Sequence, residues 1–341
     1  MVPIEFRRDV VTARFVNPAG GEIEDRRLDI RFDPLLHTSS RIAPGVRLPT
    51  AQPEALLPLQ QPDPTCPFCP GRVEKVTPTL LPAIAPEGRI RCGETLLFPN
   101  LVPYSQYAAV AVFSSRHWLS LPDFTPPLLL DNLNAALSYI RRVAQADRSV
   151  RYAAYNVNYL YPSGGSLPHP HSQVYVDRHA TTMMRLQEDA AVSYLARHGR
   201  PFWEDLVDEE EGRGERFIGR LGRTAWITPF APLGFNEVRV IVRGVGTVLE
   251  LTDADLRSLA HGIARVLIAY DDQGYNSFNL ALSSALDPAR PALGVTMSMI
   301  TRSALVPYYR SDAMYLERLH WEAAVDRPPE EVARDLRTVF G

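Results

Sequence analysis

The sequence predicts an α+β protein in which one structural unit occurs twice. Strand-like and helix-like runs follow one another in the same order in the two halves of the chain. The length of 341 residues is enough for two domains or for one duplicated unit. Two long stretches with apolar residues near 3.6-residue spacing are the candidate helices, and β-branched and aromatic runs are the candidate strands.

The composition is that of an ordinary globular protein and does not indicate binding to nucleic acid or to a membrane. Hydrophobic residues make up 45% of the chain, charged residues make up 22%, and the formal net charge is -3. This balance gives no support for binding to nucleic acid, and no apolar run is long enough to span a membrane. Three cysteines, two of them spaced as Cys-x-x-Cys, favour a reducing compartment, so we expect a cytoplasmic protein.

Residues 1–65 show little regular periodicity. The chain has 30 prolines, largely in its first third, which favours extended loops and turns over packed helices. Residues 26–32 alternate between polar and apolar side chains and predict a short strand. Residues 39–45 form a polar turn that contains Arg41. We expect an N-terminal extended segment here.

Two cysteines lie in a tight turn, Cys66-Pro67-Phe68-Cys69-Pro70-Gly71. Such a turn places two thiolates on one side of a loop, which is the usual half-site for zinc. A redox role would need a helix that starts at the first cysteine, and the surrounding prolines argue against that helix. A tetrahedral zinc site needs two further ligands from elsewhere in the chain.

The remaining elements of the first unit follow in the order strand, strand, helix, strand. They are residues 96–104, 108–113, 127–146 and 151–159. His117 follows the second strand in a Phe-Ser-x-x-His phrase, and the last strand contains Asn156 and Asn158.

A loop rich in glycine and serine then leads into His169-Pro170-His171-Ser172-Gln173. In a strand, residues two apart point the same way, so the two histidines and Gln173 share one face. Three polar groups on one face of an apolar strand are costly to bury without a function. A pair of surface histidines on an edge strand is the alternative interpretation.

The second half repeats the order of the first. Its elements are two strands, a helix and a strand at residues 225–230, 237–242, 254–273 and 275–281. Between the halves, residues 177–206 predict a helix, and residues 208–215 predict a solvated charged turn. Where a second His-x-His would stand, the chain has residues 295–300, which include Met297 and Met299.

His-x-His-x-Gln after a Gly/Ser-rich loop resembles the histidine-triad (HIT) superfamily. The proline between the histidines and the glutamine after them are similar to its galactose-1-phosphate uridylyltransferase branch. The resemblance runs from about residue 66 to residue 339. It implies a duplicated HIT-like unit with a mixed, mainly antiparallel sheet across both halves and flanking helices. Residues 66–207 would then be the catalytic half, and residues 216–341 a second, degenerate half.

The resemblance also implies a structural Zn²⁺. Its ligands would be the two cysteines, the histidine after the second strand and the first histidine of His-Pro-His, which are Cys66, Cys69, His117 and His169. Some relatives hold a second, histidine-rich metal site in the other half. Thioether groups cannot replace imidazole ligands there, so we expect that site to be absent.

In this family the second histidine, here His171, attacks the α-phosphorus of a nucleotide sugar. Gln173 and Ser166 would donate hydrogen bonds to the phosphate oxygens. The candidate nucleotide contacts are Arg41, Phe68, Asn100, Asn158, Ser166 and Gln173. For Arg41, a solvated arginine in a loop is the alternative.

Three functions follow as hypotheses. The first is a nucleotidyltransferase that moves a UMP-like group between sugar 1-phosphates, acting on a nucleotide sugar and a sugar phosphate as a homodimer. The second is a phosphorylase or hydrolase of nucleotide sugars or dinucleotides, and the third is a non-catalytic nucleotide-binding protein. The chain departs from the family's hexose phosphate contacts at Tyr308, Tyr309, Asp312 and Glu317, so the sugar stays open.

Overall fold

The computed structural model describes residues 4–45, 48–61, 63–288, 291–306 and 313–340. In these ranges the strands are β1 (Arg8–Val16), β2 (Ile23–Phe32), β3 (Ser39–Ile42), β4 (Ile90–Cys92), β5 (Thr95–Pro99), β6 (Tyr107–Val112), β7 (Tyr152–Tyr159), β8 (His171–Asp177), β9 (Phe217–Leu221), β10 (Thr224–Ile227), β11 (Val238–Val242), β12 (Phe278–Ala285), β13 (Val295–Thr301) and β14 (Ala323–Val325). The α-helices are α1 (Pro53–Gln60), α2 (Val73–Val76), α3 (Pro126–Ala146), α4 (Thr182–His198), α5 (Phe202–Arg213), α6 (Asp253–Asp272), α7 (Tyr315–Leu319) and α8 (Pro329–Phe340).

A ten-stranded sheet runs through both halves of the chain. Its strand order is β4-β5-β6-β8-β7-β12-β13-β11-β10-β9, and each neighbouring pair is antiparallel. Each half contributes five strands in the same relative order, and the halves meet where β7 pairs with β12. A smaller sheet has the order β1-β2-β3-β14, in which β14 runs parallel to β3. The expected α+β fold with a duplicated unit is confirmed.

One face of the large sheet is buried under α3 and α6. The two long helices form a single core with this face of the sheet. A capping box starts α6, since Asp255 N donates to Thr252 Oγ1 at 3.3 Å and Thr252 N donates to Asp255 Oδ2 at 2.8 Å. Both predicted long helices are present within one or two residues of their expected ends.

The opposite face of the sheet is covered unevenly. Over the second half, α4 and α5 pack on β10 and β11 through a separate apolar cluster. Along β8 the inner positions Ser172, Val174 and Val176 are buried, while Gln173 on the outer face is only half-buried. This alternation places the outer face of β8 where a ligand can reach it.

The helix predicted over residues 177–206 is wrong in its extent. The structure has two helices here, because Gly199 ends α4 with a φ of 72° and Pro201 precedes α5. The charged run at residues 208–215, predicted as a solvated turn, lies mostly inside α5. Glu210 is fully buried there and accepts a hydrogen bond from Arg216 Nε at 2.9 Å. The same helix runs across the boundary expected at residue 207.

The N-terminal segment contains more regular structure than expected. β1 and β2 pair along their whole length as an antiparallel hairpin, of which only residues 26–32 were predicted. The side chains of β1 are exposed throughout, so no burial-driven alternation marks this strand. Arg31 ties the hairpin to α8 through two hydrogen bonds to Glu330, at 2.7 and 3.0 Å. Within the described ranges, no helix has the length and apolar character needed to cross a bilayer.

Candidate active site and metal centre

Four potential metal ligands converge beside the start of β8. The side-chain donor atoms of Cys66, Cys69, His117 and His169 all lie within 4.8 Å of one another. Cys69 Sγ is 3.3 Å from His117 Nδ1 and 3.6 Å from His169 Nδ1, and Cys66 Sγ is 3.7 Å from His169 Nδ1. Three separate segments therefore meet at one point.

These donors fit a tetrahedral metal ion. Zinc with typical Zn–S and Zn–N bond lengths separates a sulfur from a nitrogen ligand by about 3.6 Å, close to the three distances found. Burial and a hydrogen bond with Cys66 raise the pKa of the Cys69 thiol to about 12, so a cation is needed to keep the Cys69 sulfur ionised. Two sulfurs and two imidazoles form a donor set that zinc prefers.

His169 is held in one orientation by the backbone. Its Nε2 lies 3.0 Å from the carbonyl oxygen of Ser114, and a carbonyl can only accept, so Nε2 carries the proton. The lone pair is therefore on Nδ1, the atom that faces the two sulfurs. Burial lowers the pKa of His169 to about 4, which keeps the ring neutral.

The ring of His171 is also oriented by a hydrogen bond to a backbone carbonyl. Its Nδ1 lies 2.8 Å from the carbonyl oxygen of His169, so Nδ1 donates and Nε2 keeps a free lone pair. Only 6% of the residue is exposed, and burial lowers its pKa. The ring of Phe68 packs edge-on against it at a centroid distance of 5.2 Å. A neutral imidazole with a directed lone pair can act as a nucleophile.

Polar side chains surround His171 on the outer face of the sheet. Gln173 lies two residues further along β8 and pairs across the strands with Asn156. The same register sets Asn158 level with His171 on the neighbouring strand, and Asn158 is exposed. These amide groups can donate hydrogen bonds to an anion bound at Nε2.

The Gly/Ser-rich loop folds back against the end of β7. Gly164 adopts a φ of 87°, and Gly165 N donates to the carbonyl of Leu160 at 3.1 Å. A Cβ on Gly165 would lie 2.9 Å from the carbonyl oxygens of both Asn158 and Leu160. Ser166, next in the chain, is exposed. The loop can therefore approach the strand only because residue 165 lacks a side chain.

We expect Gly165→Ala to push this loop away from β7. The added methyl group meets two backbone oxygens that cannot rotate aside, at a cost of about 1–3 kcal/mol in the free energy of unfolding. Denaturant unfolding should report the change. Gly212→Ala in α5 is the matched control, because a Cβ there meets no atom within 4 Å. Equal stability of the two variants would contradict this account of the loop.

The other predicted site residues are placed as follows. Phe68 contacts both His169 and His171, at centroid distances of 6.0 and 5.2 Å. Asn100 caps the turn after β5, where its Oδ1 accepts from Val102 N at 3.0 Å. The polar turn predicted at residues 39–45 is wrong over Ser39–Ile42, which form β3, so Arg41 lies on a strand of the smaller sheet. Its Nε is 3.0 Å from Glu322 Oε1. The structure therefore does not bring Arg41 to the large sheet's outer face within this chain.

Several further residues complete this account. Glu317 lies in α7, whereas Tyr308, Tyr309 and Asp312 lie outside the described residues. Cys92 is half-buried on β4.

Met297 and Met299 point into the core of the second half. Within the described part of the chain, the set around Cys66 is the one group of three or more His, Cys, Asp or Glu side chains close enough to share a metal.

Sequence reasoning missed two residues near the site, Asn279 and Arg302. Asn279 Nδ2 donates to Asn158 Oδ1 at 2.7 Å, and Arg302 Nη1 donates to Asn279 Oδ1 at 3.0 Å. The repeated order of elements indicated the contact between Asn158 and Asn279, because β7 and β12 are equivalent strands of the two halves. Equivalent strands of a duplicated antiparallel sheet commonly meet at the junction of the two copies, and a pair of asparagines there would face each other.

Comparison with known proteins agrees with this fold and these motifs. No family model matches the chain. An uncharacterised protein of Archaeoglobus fulgidus is 30% identical over 338 residues, 99% of each chain. A galactose-1-phosphate uridylyltransferase of Rattus norvegicus is 28% identical over 185 residues, which are 52% of this chain and 48% of the rat protein. The structure of an ADP-glucose phosphorylase of Arabidopsis thaliana, with 16% identity, superposes with a TM-score of 0.68 and covers 91% of this chain and 98% of its own. The chain is therefore similar in sequence to galactose-1-phosphate uridylyltransferases and has the fold of galactose-1-phosphate uridylyltransferase-like proteins.

Proposed function

We propose that the protein transfers a nucleoside monophosphate between sugar 1-phosphates through a covalent bond to His171. The observation that carries this proposal is the hydrogen bond from His171 Nδ1 to the carbonyl of His169, at 2.8 Å. This bond leaves the Nε2 lone pair on the outer face of the sheet, among amide donors. The name of the rat relative, galactose-1-phosphate uridylyltransferase, supports a uridylyl group as the transferred unit.

The reaction has two balanced steps. His171 Nε2 attacks the α-phosphorus of a nucleotide sugar, and the bond from that phosphorus to the bridging oxygen breaks, so that the sugar 1-phosphate leaves with the electron pair. An oxygen of a second sugar 1-phosphate then attacks the same phosphorus, and the imidazole leaves. Gln173 and Ser166 would donate hydrogen bonds to the non-bridging oxygens, where negative charge is held in the transition state.

A structural Zn²⁺ held by Cys66, Cys69, His117 and His169 is part of this proposal. When bound, the ion supplies folding energy and no chemistry of its own. The chain itself orients the two rings, because the carbonyl of Ser114 holds Nε2 of His169 and the carbonyl of His169 holds Nδ1 of His171. A rigid support of this kind holds the nucleophile at one angle.

The half-buried ring of Phe68 beside His171 suits a nucleobase. Its inner side packs on a buried cluster made of Val73, Leu96, Phe98, Val110 and Val112. A base resting on Phe68 would bring its α-phosphate toward His171 Nε2. Contacts from Asn100, Asn158 and Arg41 to the nucleotide remain predictions.

Phosphorolysis of a nucleotide sugar is the second candidate. The chain lacks the family's lysine-phenylalanine pair for the hexose phosphate at Tyr308 and Tyr309, so a smaller acceptor such as orthophosphate is compatible with it. The similar fold of an ADP-glucose phosphorylase supports the same possibility. Both reactions share the first step and differ only in what resolves the intermediate.

Labelling with α-³²P UDP-glucose and α-³²P ADP-glucose tests the shared step. The protein should retain radioactivity after denaturation, and the label should be acid-labile, as expected for a phosphorus–nitrogen bond. A chase with glucose 1-phosphate, galactose 1-phosphate, orthophosphate or buffer alone then distinguishes transfer, phosphorolysis and hydrolysis. Reversible binding of both nucleotide sugars without retained label would instead support a non-catalytic nucleotide-binding protein.

We also expect a homodimer in solution. Apolar side chains are exposed along the β1–β2 hairpin, including Val16 at 63% and Ile23 at 70%. Exposed apolar surface on paired strands is typical of an interface between subunits. Light scattering at micromolar concentration should give twice the chain mass of 38.1 kDa. Val16→Glu should shift the protein toward the monomer, and a monomeric wild-type protein would refute the expectation.

A further inference from the structure

The half of the chain without His-x-His contributes two side chains that lead to Asn158, the residue level with His171 on β7. Asn279 on β12 pairs directly with Asn158 on β7. Its Nδ2 donates to Asn158 Oδ1 at 2.7 Å and to the carbonyl of Ser163 at 2.9 Å. Arg302, just after β13, donates from Nη1 to Asn279 Oδ1 at 3.0 Å. The side chains of Arg302, Asn279 and Asn158 therefore form one continuous hydrogen-bonded chain.

The direction of this chain is fixed by chemistry at both contacts of Asn279. A guanidinium group only donates, so the atom of Asn279 that faces Arg302 is its oxygen. A backbone carbonyl only accepts, so the atom that faces Ser163 is its nitrogen. Asn158 must then turn its oxygen toward Asn279, and its NH₂ group remains for another partner. In the part of the chain that the structure describes, no acceptor contacts that NH₂ group.

The free NH₂ group lies beside the proposed nucleophile. Asn156 pairs with Gln173 and Val157 with Ser172, so the next position along sets Asn158 beside His171. Residues opposite each other in an antiparallel pair point to the same face, and that face is the one away from α3. An amide donor there suits a non-bridging oxygen of a phosphate that His171 attacks.

Arg302 is itself anchored by the backbone of the second half. Its N–H donates to the carbonyl of Ser277 at 2.9 Å, and Ser277 Oγ donates to the carbonyl of Tyr159 at 2.8 Å. Ser277 is fully buried. The arginine therefore starts from a rigid point at the junction of β7 and β12, which makes it suitable for orienting Asn279.

We propose that Asn279 and Arg302 are positioning residues for nucleotidyl transfer, which hold the amide of Asn158 with its NH₂ group toward the transferred phosphate. The inference rests on the proposed function and adds a role for the second half of the chain, which is to orient Asn158. That half has no His-x-His of its own, and it orients a donor for the nucleophile of the first half. Through Ser163, Asn279 also holds the start of the Gly/Ser-rich loop.

Asn279→Asp tests the direction of the hydrogen-bonded chain. The carboxylate keeps the acceptor for Arg302 but has no donor for Asn158, so Asn158 must turn its NH₂ group inward and its oxygen toward the phosphate. We expect the single-turnover rate of labelling by α-³²P UDP-glucose or α-³²P ADP-glucose to fall about 10-fold to 100-fold, the loss typical of one removed donor. The melting temperature should fall by about a few degrees at most, because the donor to the carbonyl of Ser163 is lost as well. Ser283→Ala, on the same face of β12, is the matched control and should label like the wild type.

A double variant separates positioning from general damage. Asn279→Asp lowers the labelling rate largely through Asn158. In an Asn158→Ala background, the same substitution should therefore lower the rate several-fold less. In the double variant, the two single-variant losses of labelling rate could instead multiply in full. Together with lower melting temperatures, that result would show a merely structural role and overturn the proposal. Wild-type labelling with an unaffected Asn279→Asp would overturn it while leaving the proposed function intact. A wild-type protein that neither binds nor is labelled by either nucleotide sugar would overturn both.

Discussion

His171→Gly should abolish covalent labelling by a nucleotide sugar while the protein keeps its fold and its zinc. The variant removes the imidazole whose Nε2 is directed at the outer face. We expect the labelling rate to fall by at least about 10⁴-fold, as is typical when an enzyme loses its nucleophile. The metal should remain, because His169, and not His171, lies within reach of both sulfurs. Radioactive labelling, elemental analysis and thermal unfolding of the same preparation measure all three properties.

Chemical complementation of His171→Gly tests whether the rest of the site is intact in this variant. Glycine leaves a space the size of an imidazole beside Phe68, which packs on His171 in the wild type. A nucleoside 5′-phosphoimidazolide should fill that space and act as a donor to a sugar 1-phosphate. Label that persists on His171→Gly would show that another residue is the nucleophile. Loss of complementation together with an unchanged melting temperature would argue against the orientation assigned to His171.

The fold was largely predictable because its main determinants are local and occur twice. The two long helices carry apolar residues at helical spacing, and Thr252 and Asp255 form a recognisable start for α6. The repeated order of elements gave the duplication, and the duplication is what the ten-stranded sheet displays. Periodicity and capping are properties of short segments, so they can be read without knowing the neighbours in space.

The convergence of Cys66, Cys69, His117 and His169 was predictable for a different reason. Cys-x-x-Cys and His-x-His each constrain the local backbone, and the resemblance linked segments that are about 100 residues apart. The structure brings all four donors together within 4.8 Å. Motifs with this much chemical specificity predict a contact that periodicity alone cannot.

The failures come from contacts that a residue pattern does not display, at short range as well as at long range. Glu210 sits in a charged run that predicts a solvated turn, and only the buried Arg216 makes its burial tolerable. β1 is exposed on both faces, so its pairing with β2 leaves no hydrophobic pattern in the sequence. Asn279 reaches Asn158 across 121 positions, through a strand pairing between the two halves. The composition and spacing within one segment carry no information on such pairings, and for Asn279 the indication came from the repeated order of elements.

Cys66→Ser should remove zinc and lower stability together. Cys66 is 1% exposed, and a neutral hydroxyl in its place is a poor ligand for zinc. We expect the zinc content of protein produced with zinc to fall from one ion per chain to a small fraction. The free energy of unfolding should fall by about 4 kcal/mol or more, as is usual when a structural metal is lost.

His169→Gly should behave like Cys66→Ser, and His171→Gly should not. The control for cysteine chemistry is Cys92→Ser, because Cys92 lies on β4, outside the group of ligands. That variant should keep its zinc. Elemental analysis, denaturant unfolding and labelling by a nucleotide sugar should be measured for all four variants in parallel. A wild-type protein without zinc would refute the metal site. Equal zinc loss in His169→Gly and His171→Gly would refute the division of roles between the two histidines, which are separated only by Pro170.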